Sequence, residues 1–164
     1  MINPRTGKTW MDRNLGASRR GVEPPGMTDN QAYGDLYQWG RRADGHQCRN
    51  SSTTTTLSST DQPSHSSFII NPDININNFD WRSSPNNNLW QGINGINNPC
   101  PNGYRIPTLS ELDSEIMSWG PGSSAQPNSF TSPLNWTRGG SRTTTGAVVG
   151  CLLYTSPSPR DRQK

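Results

Sequence analysis

Residues 100–112 read CPNGYRIPTLSEL, and this stretch carries the clearest local structure in the chain. Asn102-Gly103 is a turn signal. Tyr104-Arg105-Ile106 alternates apolar and polar as a strand does, and Pro107 stops it. Thr108 and Glu111 form a T-x-x-E capping box, the reciprocal arrangement that starts a helix. Leu109, Leu112, Ile116 and Trp119 then recur at helical spacing, and Gly120-Pro121-Gly122 ends the run. The stretch predicts a turn, a short strand and one amphipathic helix.

The rest of the chain is weaker in period. Lys8–Asp12 reads as a strand with Trp10 facing inward. Tyr33, Leu36, Tyr37 and Trp39 fit one helical turn and also a strand, and Gly34 and Gly40 weaken both readings. Arg49–Ser67 is a Ser/Thr-rich insertion of low complexity, expected as an exposed loop. Phe79, Trp81, Leu89 and Trp90 are aromatic and aliphatic anchors within Asn-rich text, suited to pinning a long loop to a core. Phe130–Trp136 reads as a strand, and Thr143–Gly150 as a loop leading into another.

Composition bounds the class. The 164 residues are 28% hydrophobic, or roughly 38% once the 16 Gly are added, below the ~45–50% of an ordinary domain. Leu, Ile, Val and Phe together are about 15%, a level associated with disorder when net charge is high. Net charge is only +3, and six Trp and four Tyr supply large buriable surfaces. The expectation is a folded domain with a small aromatic core and long polar loops. Asn, Ser, Thr and Gly dominate and Lys occurs twice, which suits an extracellular loop-rich fold. No basic patch supports nucleic-acid binding. No apolar run approaches the ~20 residues of a membrane helix, and MINPRTGKTW has no secretory core.

Residues 151–161, CLLYTSPSPRD, match the translation of a transposase adapter used in short-read sequencing libraries. Residues 151–164 are therefore expected to be non-native, and 1–150 to be a domain cut short on its C-terminal side. A chain lacking core strands is expected to be weakly stable.

Little in the sequence points to catalysis. His46 and His65 stand away from a second ligand type at metal spacing, and zinc needs about four ligands. His46, in DGHQ, reads as a turn or hydrogen-bonding residue. Asp73, Asn75 and Asn77 place oxygen side chains at alternate positions, as at the start of a calcium loop. The Gly and Glu of that loop are missing, so Ca2+ is only a weak expectation. Glu111, Asp113 and Glu115 cluster on the helix. Capping accounts for Glu111, acidic residues suit a first turn, and a catalytic pair has no further support. NPRTGKT lacks the spacing of a phosphate-binding loop. Asn50-Ser51-Ser52 and Asn135-Trp136-Thr137 match the glycosylation acceptor pattern, as Asn-rich text does by chance. Trp81 and Trp90 are the candidate stacking surfaces for a sugar, although tryptophans are core residues by default. Cys48 and Cys100 could pair with each other, stay free, or pair with something lost.

Four blocks together resemble the Fibrobacter major paralogous domain family: GKTWMDRNLGA, AYGDLYQWGRRADGHQ, NNLWQGINGINNPCPNGYRIPTLSEL and TSPLNW. The resemblance covers nearly all of residues 3–150. It implies an α+β, C-type-lectin-like fold, loop-rich and here incomplete, related to formylglycine-generating enzymes. It also implies that Cys100 belongs to a structural disulfide whose C-terminal partner is absent, and that Cys48 is free. A missing disulfide of this kind is typically worth ~2–5 kcal/mol. No residue matches the reactive cysteines of the formylglycine-generating enzymes. The expected role is non-catalytic ligand binding or adhesion at the cell surface or outside the cell, toward a carbohydrate or protein and with no cofactor. The alternatives are a structural module of the cell envelope and, more remotely, an oxidase of the formylglycine-generating type. Fold alone decides none of these.

Overall fold

A computed structural model describes residues 1–21, 29–73, 80–120, 132, 134–135, 137, 139–143 and 145–149. The described chain falls into two compact units, Met1–Asp35 with Pro107–Gly140, and Leu36–Ile106 with Ser141–Val149.

The first unit is organised by helix α1, Leu109–Met117. Its start follows from the capping box. The Thr108 hydroxyl accepts from the Glu111 amide at 3.2 Å, and the Glu111 carboxylate accepts from the Thr108 amide at 2.9 Å. Two of the helix's orphan donors are thus satisfied. Replacing Thr108 by Ala is expected to cost about 1 kcal/mol, read as a lower urea midpoint at unchanged slope. Thr108→Ser should restore most of it, and a Thr108→Ala midpoint equal to wild type would contradict the cap.

The apolar stripe of α1 contains one surprise. Leu112 is buried as expected, but the other buried position is Glu115. Its carboxylate accepts from Asn3 Nδ2 at 2.5 Å, Thr6 Oγ1 at 2.9 Å and Trp119 Nε1 at 3.1 Å. The acidic cluster is therefore divided: Glu111 caps the helix, and Glu115 fastens the N-terminal turn to it. Asn3, also buried, turns its second hydrogen to Ser118 Oγ. The expected strand at Lys8–Asp12 is reduced to a single bridge, Ile2 with Thr9.

Further along this unit, the Asn14 amide donates to the carbonyls of Tyr33 and Thr137. Ser132–Asn135, placed in an expected strand, contains a turn instead. The Asn135 amide bonds the Ser132 carbonyl at 3.0 Å and Asn135 has φ 48°. Phe130 and Trp136 of that prediction, Pro121 and Gly122 of the helix stop, and residues 151–164 lie outside the described residues.

The second unit has a core of Ile69, Trp81 and Leu89, with Leu57 packed against it. Strands β1 (Thr53–Thr54) and β2 (Phe68–Ile69) pair in parallel. β3 (Ser141–Arg142) and β4 (Val148–Val149) pair antiparallel, so the last part of the expected Thr143–Gly150 loop is itself strand. The turn between them needs glycine at 146. Its φ is +82°, and a Cβ there would stand 2.6 Å from Thr53 Cγ2. The Ser/Thr-rich insertion is exposed along much of its length yet fastened to the rest of its unit, among other ties through β1, the Leu57 contact and a parallel bridge from Ser58 to Arg82. Tyr104–Ile106 forms no strand. Pro101–Tyr104 is a tight turn closed by Tyr104 N to Pro101 O at 2.9 Å, with Gly103 at φ +82°. Among the described residues no helix is long and apolar enough to cross a membrane.

Candidate ligand-binding surface

A segment with no regular secondary structure anchors the second unit. Leu36, Gln38 and Gly40 point inward at alternate positions. The Gln38 amide behaves as an extra strand rung. Its Oε1 accepts from Ile69 N at 3.0 Å and its Nε2 donates to Ile69 O at 2.7 Å.

Arg41 is fully buried beside it. Its guanidinium donates to Asp44 Oδ2 (2.8 Å), Gln38 Oε1 (3.0 Å), Ser67 O (2.9 Å) and His65 O (2.7 Å). It also lies 5.8 Å from the centre of the Trp81 ring. Burial lowers the Arg41 pKa, and the Asp44 contact works against that. For Asp44, burial pushes upward, but hydrogen bonds from Arg41 and His46 outweigh it and the carboxyl titrates below its usual value.

His46 completes the lattice and is fully buried. Its Nε2 lies 3.0 Å from the Gln38 backbone nitrogen, whose N–H can only donate, so Nε2 carries no proton. Nδ1 therefore holds the hydrogen and donates it to Asp44 Oδ1 at 2.8 Å. Burial, and then the Arg41 charge, lower the His46 pKa from 6.5 to about 4. The sequence reading of His46 as a hydrogen-bonding residue matches this geometry. Both ring nitrogens are occupied by protein, so the ring is not offered to a substrate.

The two tryptophans singled out as stacking candidates lie inside this unit. Trp81 is 2% exposed and donates to Trp39 O at 2.7 Å. Trp90 is 4% exposed and donates to Arg41 O at 3.1 Å. Neither presents a ring face for a sugar. Asp73 is exposed beyond an Asn71 side-chain turn, while Asn75 and Asn77 lie outside the described residues. Among the described residues no group of three or more His, Cys, Asp or Glu is placed to hold a metal. Cys48 and Cys100 are both free and not paired with each other. Burial pushes the Cys100 thiol up to about 11, so it stays protonated at neutral pH.

What the lattice presents outward is the loop after Trp90. Asn97 is buried and donates to Gly40 O at 2.9 Å and Asp61 O at 2.6 Å, fixing the loop base. Asn98 donates to Ile93 O at 3.2 Å and Tyr104 O at 2.8 Å, drawing two ends of the segment together. Between these ties Ile93 is 57% exposed, Ile96 65% and Tyr104 37%. Three large apolar side chains are thus held outward on a braced loop.

The chain matches no protein-family model, no curated protein and no solved structure. Its own geometry therefore carries the functional reading. Sequence reasoning passed over Arg41, Asp44 and Gln38, because nothing in a short turn marks which polar side chains point inward. It passed over Ile93 and Ile96 as well. Their signal was present in the two Ile-Asn pairs set in text free of charge, where no apolar period assigns them to a core.

Proposed function

We propose that this chain is a non-catalytic ligand-binding or adhesion module working outside the cell or at its surface. On this reading it has the α+β, C-type-lectin-like architecture of the Fibrobacter major paralogous domains it resembles. The observation that carries the proposal is how the buried polar groups are used. Arg41, Asp44, His46 and Glu115 are each bonded within their own unit, and what they fasten is loop. Perturbed charged groups of this kind occur both in active sites and in structural ion-pair networks. Here they brace long Ser-, Thr- and Asn-rich segments, and fixed loops are the usual place for recognition.

The test is saturable binding of the purified chain to glycans or to cell-envelope protein fractions, with recovery of the ligand unchanged. Oxidation of a cysteine peptide to its aldehyde by the full-length protein would overturn the reading. So would an absence of saturable binding to either ligand class.

A further inference from the structure

We infer that the surface built from Ile93, Ile96 and Tyr104 binds a neutral polysaccharide, an inference that rests on the ligand-binding reading above. The first argument is charge. Ser83–Tyr104 contains no Asp, Glu, Lys, Arg or His, so a charged ligand would be desolvated here without a counter-charge. Of the two flanking cations, Arg82 is paired with Asp61 and Arg105, next to Tyr104, donates to the Ile106 carbonyl. The second argument is chemical pairing. A sugar ring offers C–H faces and a rim of neutral hydroxyls. This loop offers two aliphatic side chains and a phenol, with the exposed amides of Gln91, Asn94 and Asn102 along the same segment. Amides both donate and accept, as hydroxyls require.

Size is the third argument. The three partly exposed side chains can offer at most roughly a few hundred Å2 of apolar surface, no more than a monomer's largest patch. A stable protein interface needs about 800 Å2 from each partner, whereas a few sugar units need much less. Preorganisation is the fourth. Asn97 and Asn98 fix the loop from beneath, so little ordering cost falls on binding.

The experiment is affinity electrophoresis of the full chain in native gels cast with soluble β-glucan, mannan or xylan, with heparin as the charged comparison. At least one neutral polymer should retard the protein, to the same extent between about 0.05 and 0.5 M salt, because no charges are there to be screened. The triple variant Ile93→Ser, Ile96→Ser, Tyr104→Ala should lose affinity about tenfold or more. Met117→Ser, at a position 75% exposed on α1, should not. These exposed substitutions should leave the melting temperature within a few degrees of wild type. Retardation by heparin alone, or neutral-polymer binding unchanged in the triple variant, would overturn this inference and leave the ligand-binding reading standing. Saturable binding to envelope protein with none to any polysaccharide would do the same. Binding to nothing in either class would remove both.

Discussion

Arg41→Met is expected to lower the unfolding free energy by about 3–5 kcal/mol, the range for removing one partner of a buried ion pair. The substitution keeps an unbranched stem of similar reach but takes away every donor. Asp44 would lose its cation, and the carbonyls of His65 and Ser67 would lose a part-buried hydrogen bond each. Stranded buried groups, more than the lost attraction, set the size of the effect. A domain has only ~5–15 kcal/mol in total, so the variant should unfold at a much lower urea concentration or show no folded baseline. Arg41→Lys separates charge from geometry. Lysine keeps the charge but cannot reach four acceptors with a planar fork, so its loss should fall between wild type and Arg41→Met. An Arg41→Met protein within about 1 kcal/mol of wild type would mean that the lattice is not what holds the second unit together.

The second large effect is acid loss of stability through His46. Its folded pKa is depressed, from 6.5 to about 4. The folded state therefore prefers the neutral ring, and the unfolded state takes up a proton first as pH falls. The stabilisation is fully present above pH 6.5 and drains away as pH drops toward 4. The shift corresponds to about 3 kcal/mol in all, of which about 2.5 kcal/mol should be lost between pH 7 and about pH 4.5. The groups facing the ring explain the direction. Asp44 favours a charged imidazole, but burial and Arg41 oppose it, with a smaller opposing contribution from Arg142. A proton on Nε2 would also collide with the Gln38 backbone amide hydrogen. His46→Gln places a non-titrating acceptor near that amide. It should lower stability at pH 7 and flatten the dependence between pH 7 and about pH 4.5. Equal slopes for His46→Gln and wild type would assign the acid sensitivity to other groups.

The two units differ in how much of them could be read in advance. Thr108, Glu111 and the apolar recurrence after them gave α1 within a residue or two of its observed span, because capping and helical period are local in sequence. The β3–β4 hairpin was not read, since Val148–Val149 stood inside the expected Thr143–Gly150 loop. Nor was the lattice of the second unit. Its rungs join Gln38 to Ile69 and Arg41 to Ser67, separations at which no periodicity survives. Gln38 imitates a strand neighbour with a side-chain amide, which no strand propensity records. Arg41 and Glu115 are charged residues at fully buried positions, the reverse of the usual rule. They are legible only once their partners are placed. Tyr104–Ile106 shows the opposite failure: a strand-like alternation with no partner strand to pair with. On the proposed binding surface, the lack of charge from Ser83 to Tyr104 was visible throughout. The outward setting of Ile93 and Ile96 needed the buried Asn97 to be located first.

The central claim is that side-chain lattice, rather than strand or helix, holds the second unit's loops in place. Native-state hydrogen exchange at two amides tests it most directly. Gln38 N–H donates to the His46 ring and Ile69 N–H to the Gln38 side chain, so neither is protected by a backbone carbonyl. The account predicts that both exchange only through global or near-global unfolding, as slowly as Ile70 N–H, which follows β2 and donates to the Thr54 carbonyl at 2.8 Å. Arg41→Met should release both. If Gln38 and Ile69 instead exchange as fast as the exposed Asn88 amide, the lattice does not hold and the account of this unit is wrong.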